Sequence, residues 1–305
     1  MKQRILIGTR GSALAMAQTS EVVNSLRKVA PQVRCEVVSI KTQGDTIEGA
    51  GTGALESKSA FTKEIEDSLI RGRVDLAVHS MKDLTTDLPP GLVIACVPER
   101  VDARDVLISR DKKKLEQLDG GARVGTSSAR RKAQLLAARG DLEIVEMRGN
   151  VDTRMGKLEK GGCDAIVLAA AGLIRLGLEK KVTQFLSPNV MLPAVGQGAV
   201  AVQSREEDAE VRDLVAKLDH EPTRLAIEAE RGFARGLGAN CRTPTAAYAR
   251  FADGTLTIEG MVAAASGKLV LRGRISSDSP NAERTGRELA ESLLKKGAGI
   301  VLEAA

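Results

Sequence analysis

The sequence predicts an α/β protein: two doubly wound lobes with mostly parallel sheets and a hinged cleft, followed by a smaller α+β C-terminal domain. Three observations carry that prediction. Apolar runs of strand length alternate with helical patterns through the first two-thirds of the chain, the order of a parallel sheet covered by helices. Two punctuated stretches, Pro98–Arg104 and Ser187–Gly198, read as crossings between lobes. After Glu221-Pro222 the texture changes to helix, three strands, helix.

The elements follow in order. Ile5–Ile7 is a short apolar strand, and Ala13–Val29 has the composition of a helix. Val33–Ile40 is the next strand; Phe61–Arg71 is a helix, and Val74–Val78, Leu92–Val97 and Val106–Ser109 are compact apolar strands. Ala129–Ala138 starts as a helix behind three hydroxyl residues that suit the cap position. Ile144–Met147 is a strand, Val151–Lys160 a helix stopped by Gly161-Gly162, and Asp164–Leu168 a strand. Ala199–Ser204, with Val200–Gln203 as its apolar centre, lies beyond the second crossing and rejoins the first lobe. The last domain holds a helix to about Arg235, strands Thr245–Phe251, Leu256–Ala263 and Leu269–Ser276, and a helix from Asn281 to Lys296. The expected domains are 1–98 with 199–218, 104–192, and 221–305.

Composition narrows the function. The 305 residues are 43% apolar and 28% charged, ordinary for a globular protein, and no window reaches the roughly 18 uninterrupted apolar residues of a membrane span. The start, Met-Lys-Gln-Arg, runs straight into a strand with no signal-peptide core, so the cytoplasm is the expected location. A net charge of +5 leaves nucleic acid open. The aromatic content argues against it, because single-strand binders stack bases on rings and this chain has no Trp, one Tyr and four Phe. Four widely separated cysteines and two histidines show no metal-ligand spacing.

Arginines recur where strands end. Val124-Gly-Thr-Ser-Ser-Ala-Arg-Arg131 sets Thr126, Ser127 and Ser128 at a helix start and puts Arg130 and Arg131 in its first turn. Two cations there oppose the helix dipole, so the pair calls for an anion that binds dipole, hydroxyls and guanidinium forks together; otherwise the arginines are simply solvated. Thr9-Arg10-Gly11-Ser12 follows Ile5–Ile7, and Arg148 and Arg154 follow Leu142–Met147. Ligands of open α/β sheets bind outside the carboxyl ends of the strands, so such arginines suit a ligand with several carboxylates or phosphates.

Two further groups carry chemistry. His79-Ser-Met-Lys82-Asp83 follows the strand Val74–Val78, and Asp83 among cations suits stabilising a cationic intermediate better than acting as an initial acid; its bland role is a helix cap or an ion pair. Cys35, Cys96 and Cys163 lie in or beside apolar strands as small hydrophobes. Cys241 lies in a loop-like stretch between Arg235 and Arg242, whose charges favour thiolate.

Taken together the chain resembles the porphobilinogen deaminase (hydroxymethylbilane synthase) family. The resemblance rests on Ala77–Asp83, Val124–Arg131, Arg148–Arg154, Asp164–Arg175 and Leu192–Ala199, in that order over nearly the whole chain. It implies a monomeric three-domain enzyme whose paired lobes are similar to those of periplasmic binding proteins. The enzyme joins four porphobilinogen molecules head to tail, releases four ammonia and yields hydroxymethylbilane, a precursor in heme biosynthesis. It further implies a dipyrromethane cofactor held by a thioether, with Cys241 at the attachment position and Asp83 at the catalytic one. Arg10, Ser12, Lys82, Thr126, Ser127, Ser128, Arg130, Arg131, Arg148, Arg154 and Arg175 match positions that bind the acetate and propionate groups, with Lys58 and Phe61 in a lid. The loop Ala54–Ala60 departs from the family's glycine-rich pattern, and Ala239-Asn240 stand where two glycines are common. The alternative is a two-lobed binding protein for a small anion, which leaves Asp83 and Cys241 without a task. A nucleic-acid-binding protein, suggested by the pI near 9, ranks behind both.

Overall fold

A computed structural model describes residues 2–46, 58–238, 243–278 and 281–303. Residues 1–101 with 199–224 form one compact unit, and residues 102–198 with 225–305 form the other.

The first unit begins with β1 (Arg4–Thr9), α1 (Ala13–Val29), β2 (Arg34–Ser39) and a single turn α2 (Gln43–Thr46). It continues through α3 (Lys63–Ile70), β3 (Leu76–Ser80) and β4 (Leu92–Cys96). Its sheet has the order β2-β1-β3-β10-β4, where β10 is Val200–Arg205. β1 runs parallel to β2 and β3, whereas β10 runs antiparallel to both of its neighbours. The sheet is covered on both faces. Ile5, Ile7, Leu76, Val78, Val200 and Val202 meet Val22, Val23 and Leu26 of α1 and Val211, Leu214 and Val215 on one side. Ala77 and Leu92 meet Ile65 and Leu69 of α3 on the other. Ala77 and Val78 point to opposite faces because successive strand side chains alternate, so a strand buried on both sides reads as one continuous apolar run.

The second unit repeats the plan with β5 (Asp105–Ser109), β6 (Arg123–Gly125), α4 (Ala129–Ala138), β7 (Glu143–Val145), α5 (Val151–Glu159), β8 (Ala165–Ala169), α6 (Ala170–Arg175) and β9 (Gln184–Phe185). The order is β7-β6-β8-β5-β9; β6 is parallel to β7 and β8, and β5 is antiparallel to β8 and β9. The expectation of mostly parallel sheets therefore needs one refinement in each unit. The reversed strands β10 and β5 are those that follow the two crossing stretches. A strand that arrives from a crossing has no helix packed back over the same sheet before it, and that helical crossover is what makes neighbours parallel.

The chain ends with α7 (Ala209–Ala216) in the first unit, then α8 (Glu221–Leu237), β11 (Thr245–Ala252), β12 (Thr255–Ala263), β13 (Val270–Ser277), α9 (Ala282–Leu293) and α10 (Gly299–Glu303). The three strands form an antiparallel meander. One face buries Phe233, Leu289 and Leu293 against Ala247, Ala249 and Ile258, and the other sets Ala246, Met261 and Ala263 against Ala133 of α4 and Leu192. Glycines let α8 and α9 cross closely: a Cβ on Gly286 would lie 1.9 Å from the Ala229 carbonyl oxygen, and one on Gly232 2.2 Å from that of Glu283. No helix among the described residues is long and apolar enough to cross a membrane.

Candidate functional site

In the first unit β1 and β3 are parallel, so the segments that follow them emerge at the same edge of the sheet. After β1 the chain turns through Arg10 to Ser12, whose Oγ accepts from Ala15 N at 3.3 Å and caps α1. Gln18 of α1 exchanges hydrogen bonds of 3.0 Å with Ser80 Oγ, tying the helix to the end of β3. The next residues, Met81–Asp83, form a tight turn that presents Lys82 and Asp83 at this edge. Asp83 is half-buried. It neither caps the turn nor makes a hydrogen bond or ion pair with another described residue, so the bland roles considered from sequence are not the ones it fills.

Arg10 has neighbours that the sequence did not reveal. Its Nε and Nη2 donate to Asp45 Oδ1 at 3.1 and 2.6 Å, and its guanidinium lies 4.4 Å over the Phe61 ring. Burial raises the Asp45 carboxyl, but hydrogen bonds from Arg10 and Thr42 reverse this and hold it below the usual carboxylate range. Phe61 can sit here because position 44 is glycine: a Cβ there would lie 2.1 Å from the ring. Residues 47–57, the body of the expected lid, lie outside the described residues, as does the Lys58 side chain.

Beneath this edge His79 is 5% exposed and faces the α3 side of β3. Burial pushes its imidazole down to about 4, with Gln203 opposing the shift and the Arg10 charge adding to it. Gln203 stops short of a full hydrogen bond, since His79 Nε2 and Gln203 Oε1 both lack partners among the described residues. The native state thus holds the ring neutral. As pH falls below about 6.5 the unfolded chain takes up a proton that the folded one refuses until about 4, so stability present at neutral pH is lost across that window. The contribution is roughly 2 kcal/mol between pH 7 and pH 5. Urea unfolding of His79→Gln at those two pH values is expected to show that much less acid loss than wild type; equal losses would remove His79 from the account.

In the second unit β6, β7 and β8 run parallel, and their ends carry the remaining candidates at one edge. Thr126 Oγ1 accepts from Ser128 N at 3.2 Å, Ser127 Oγ from Met147 N at 3.0 Å, and Ser128 Oγ from Arg131 N at 3.4 Å as the cap of α4. Each hydroxyl keeps its own O–H to donate. After β7, Asn150 caps α5 by accepting from Thr153 N at 2.9 Å, and Gly149 makes the turn with φ +115°. Arg148 is exposed beside Glu146, its Nε 2.7 Å from Oε1. Arg154 Nε donates to the Gly149 carbonyl at 2.7 Å. Arg175 closes α6 and donates to the Gly198 carbonyl at 3.2 Å.

Arg130 and Arg131 are 6% exposed, so the solvated alternative does not hold, and one anion beside them is part of the chain: Asp105, fully buried at the start of β5. Arg130 Nη1 lies 2.7 Å from Asp105 Oδ2, and Arg131 donates to Oδ1 from Nε at 2.9 Å and Nη2 at 2.7 Å. Carbonyls take further donors, Leu192 from Arg130 at 2.7 Å and Val167 from Arg131 at 2.9 Å. Burial raises the Asp105 carboxyl, but the two guanidinium charges outweigh it and hold the group well below its ordinary range. The signal for this residue was indirect: an unbalanced charge pair in a first helical turn.

The three cysteines within the described residues are unlike a reactive thiol. Burial pushes Cys35, Cys96 and Cys163 up, Cys96 to about 12. Cys241 falls between α8 and β11, outside the described residues.

Each unit thus gathers cationic and hydroxyl groups at the carboxyl ends of its parallel strands, with helix N-termini beside them, and the first adds a carboxylate without a partner among the described residues. That donor set fits a ligand with several carboxylates and N–H groups. Comparison with known proteins gives the family. Residues 5–213 match the family model described as porphobilinogen deaminase, dipyromethane cofactor binding domain, and residues 224–295 the model of the porphobilinogen deaminase C-terminal domain. A porphobilinogen deaminase of Pelotomaculum thermopropionicum is 47% identical over 305 residues, covering 100% of this chain and 98% of its own. One of Thermus thermophilus is 47% identical over 299 residues, 98% of each chain. Among solved structures, a putative methionine-binding lipoprotein of Bacillus subtilis aligns over 71% of this chain and 90% of its own, at 13% identity and a TM-score of 0.45, too loosely to bear on function. The two matched models and full-length identity near one half establish that the chain belongs to the porphobilinogen deaminase family.

Proposed function

We propose that this chain performs the family's reaction with Asp83 as its catalytic carboxylate and Cys241 as its cofactor anchor. The reaction joins four porphobilinogen molecules head to tail with loss of four ammonia, and water releases the product as hydroxymethylbilane. The observation that carries the assignment is Asp83, half-buried at the end of β3 with no other described residue occupying its oxygens. When bound through a thioether, the dipyrromethane group supplies the free pyrrole α-carbon from which the chain grows.

Departure of ammonia from porphobilinogen leaves an azafulvene cation. A carboxylate at the pyrrole N–H stabilises that charge and accepts the proton lost when the new bond forms, which is the role we give Asp83. Each pyrrole also carries an acetate and a propionate. Arg10, Ser12 and Lys82 in one unit, and Thr126, Ser127, Ser128, Arg130, Arg131, Arg148, Arg154 and Arg175 in the other, supply forks, hydroxyls and helix N-termini of the chemistry those groups require. The Phe61 ring lies 4.4 Å from the Arg10 guanidinium carbon, a cation–π contact that favours this position of the charge. The reading carries with it three domains, a monomer, action in the cytoplasm, and no nucleic-acid or membrane partner; light scattering tests the monomer. The small-anion binding protein predicts reversible binding and no ammonia.

The test is mass and turnover together. Protein made in cells that supply porphobilinogen and then denatured is expected to carry an excess mass of two linked pyrrole units and, when native, to release one ammonia per porphobilinogen consumed. An unmodified chain that consumes none overturns the proposal.

Arg131→Lys keeps the charge and loses the fork. Lysine places three donors on one atom, so it cannot reproduce both fork bonds to Asp105 Oδ1 while also reaching the Val167 carbonyl, at a cost of about 1–3 kcal/mol in stability. The elongation rate, followed by quenched flow, is expected to fall as well; wild-type rates through every step would contradict this.

A further inference from the structure

The Arg130–Arg131 pair is held by one carboxylate that nothing in the family's reaction uses directly. Asp105 has 0% of its surface exposed and receives four hydrogen bonds from the two forks: Arg130 from Nη1 at 2.7 Å and Nη2 at 3.2 Å, Arg131 from Nε at 2.9 Å and Nη2 at 2.7 Å. Two cations against one anion leave the cluster with one net positive charge. That excess sits in the first turn of α4, where the helix dipole and the Ser128 cap already favour an incoming anion.

The cluster is also mechanically tied. Arg131 grips the Val167 carbonyl of β8, and Arg130 grips the carbonyl of Leu192. Leu192 in turn donates its N–H to Gln134 Oε1 at 2.7 Å, and Arg272 of β13 donates to the same oxygen at 3.1 Å. Asp105 thus joins β5, α4, β8 and the stretch after residue 190 into one polar network in a nearly dry setting. Without its charge, two buried guanidinium groups would repel each other against the helix dipole, and the forks would splay from their present planes.

We infer that Asp105 is a positioning residue for the reaction: it aligns the Arg130 and Arg131 forks and cancels one of their charges, so that the pair accepts a single pyrrole carboxylate. The inference rests on the proposed reading of these arginines as carboxylate binders. It separates two demands that the sequence merged. One anion is built in and holds the forks; the second belongs to the ligand and completes the neutralisation. The stepwise reaction gives this a use, because the site must release one carboxylate as the growing chain advances, and a pair left with two uncompensated charges would hold it too tightly.

The experiment compares wild type, Asp105→Asn and Asp105→Glu made in cells that supply porphobilinogen, measuring the loaded fraction by denatured mass, folding by circular dichroism, and KM and kcat on the loaded enzyme. Wild type without the adduct is a failure of the proposed function, read independently of the variants. With wild type loaded, folded Asp105→Asn is expected to load roughly tenfold less primer, or to show a KM for porphobilinogen changed roughly tenfold with a smaller change in kcat. A folded Asp105→Asn that loads fully and keeps the wild-type KM and kcat overturns the inference and leaves Asp105 a purely structural ion. If Asp105→Asn does not fold, Asp105→Glu decides: it keeps the charge and moves it by one methylene. Loading with a KM shifted by roughly threefold or more supports the positioning role, and an unchanged KM overturns it.

Discussion

Asp83→Ala is expected to abolish porphobilinogen turnover while the protein remains folded and monodisperse. The carboxylate has no hydrogen bond or ion pair with another described residue, so its removal leaves no described polar partner unpaired, and the change in stability is expected to stay within about 0.5 kcal/mol. The loss in rate is set by the chemistry. General acid–base catalysis by one positioned group is worth roughly 10²–10⁴-fold and electrostatic stabilisation by one group roughly 10²–10³-fold, and here one oxygen pair serves both. Asp83→Asn, which keeps shape and removes charge, is expected to fall nearly as far, because a cation gains little from a neutral amide. Melting curves beside an assay of porphobilinogen consumption check both. Near-normal product formation by Asp83→Ala would end its catalytic role, and loss of folding would return it to a structural one.

Cys241→Ser is expected to lose the two-pyrrole adduct and with it all product formation above background. Sulfur is needed because the thiolate is the nucleophile, and Arg235 and Arg242 nearby in sequence favour it, whereas a serine hydroxyl without an adjacent base does not ionise. The other three thiols offer no substitute. Cys96 and Cys163 are buried, Cys35 is half-buried, and burial pushes all three toward the protonated form. Denatured mass of wild type beside the variant checks the expectation. An adduct that persists on Cys241→Ser would move the attachment point elsewhere, with Cys35, the least buried of the three, examined next.

These outcomes separate what is local in the chain from what is not. Helix limits such as Ala13–Val29 and Ala129–Ala138 agree with the structure to the residue, because caps such as Ser12 and Ser128 and the helical period lie within a few positions of one another. The placement of Arg10, Arg131, Arg148 and Asp83 after strands was legible for the same reason: a strand-to-helix turn is a short-range feature, and so is the excess of charge at its start. The resemblance then supplied a reaction that no spacing alone carries.

Tertiary structure decided the rest. Nothing local marks Asp105 as the partner of Arg130 and Arg131, 25 and 26 positions away, or Asp45 as the partner of Arg10, 35 positions away. Nor does any pattern within β5 or β10 record that each runs against its neighbours, since alternation reports which face is buried and is unchanged when a strand is reversed. By itself the sequence determined the elements, their apolar faces and the charges waiting at their ends. Only the folded chain decided which strands became neighbours, and therefore which anion met which cation, because ion pairing in a dry interior depends on distances that folding creates.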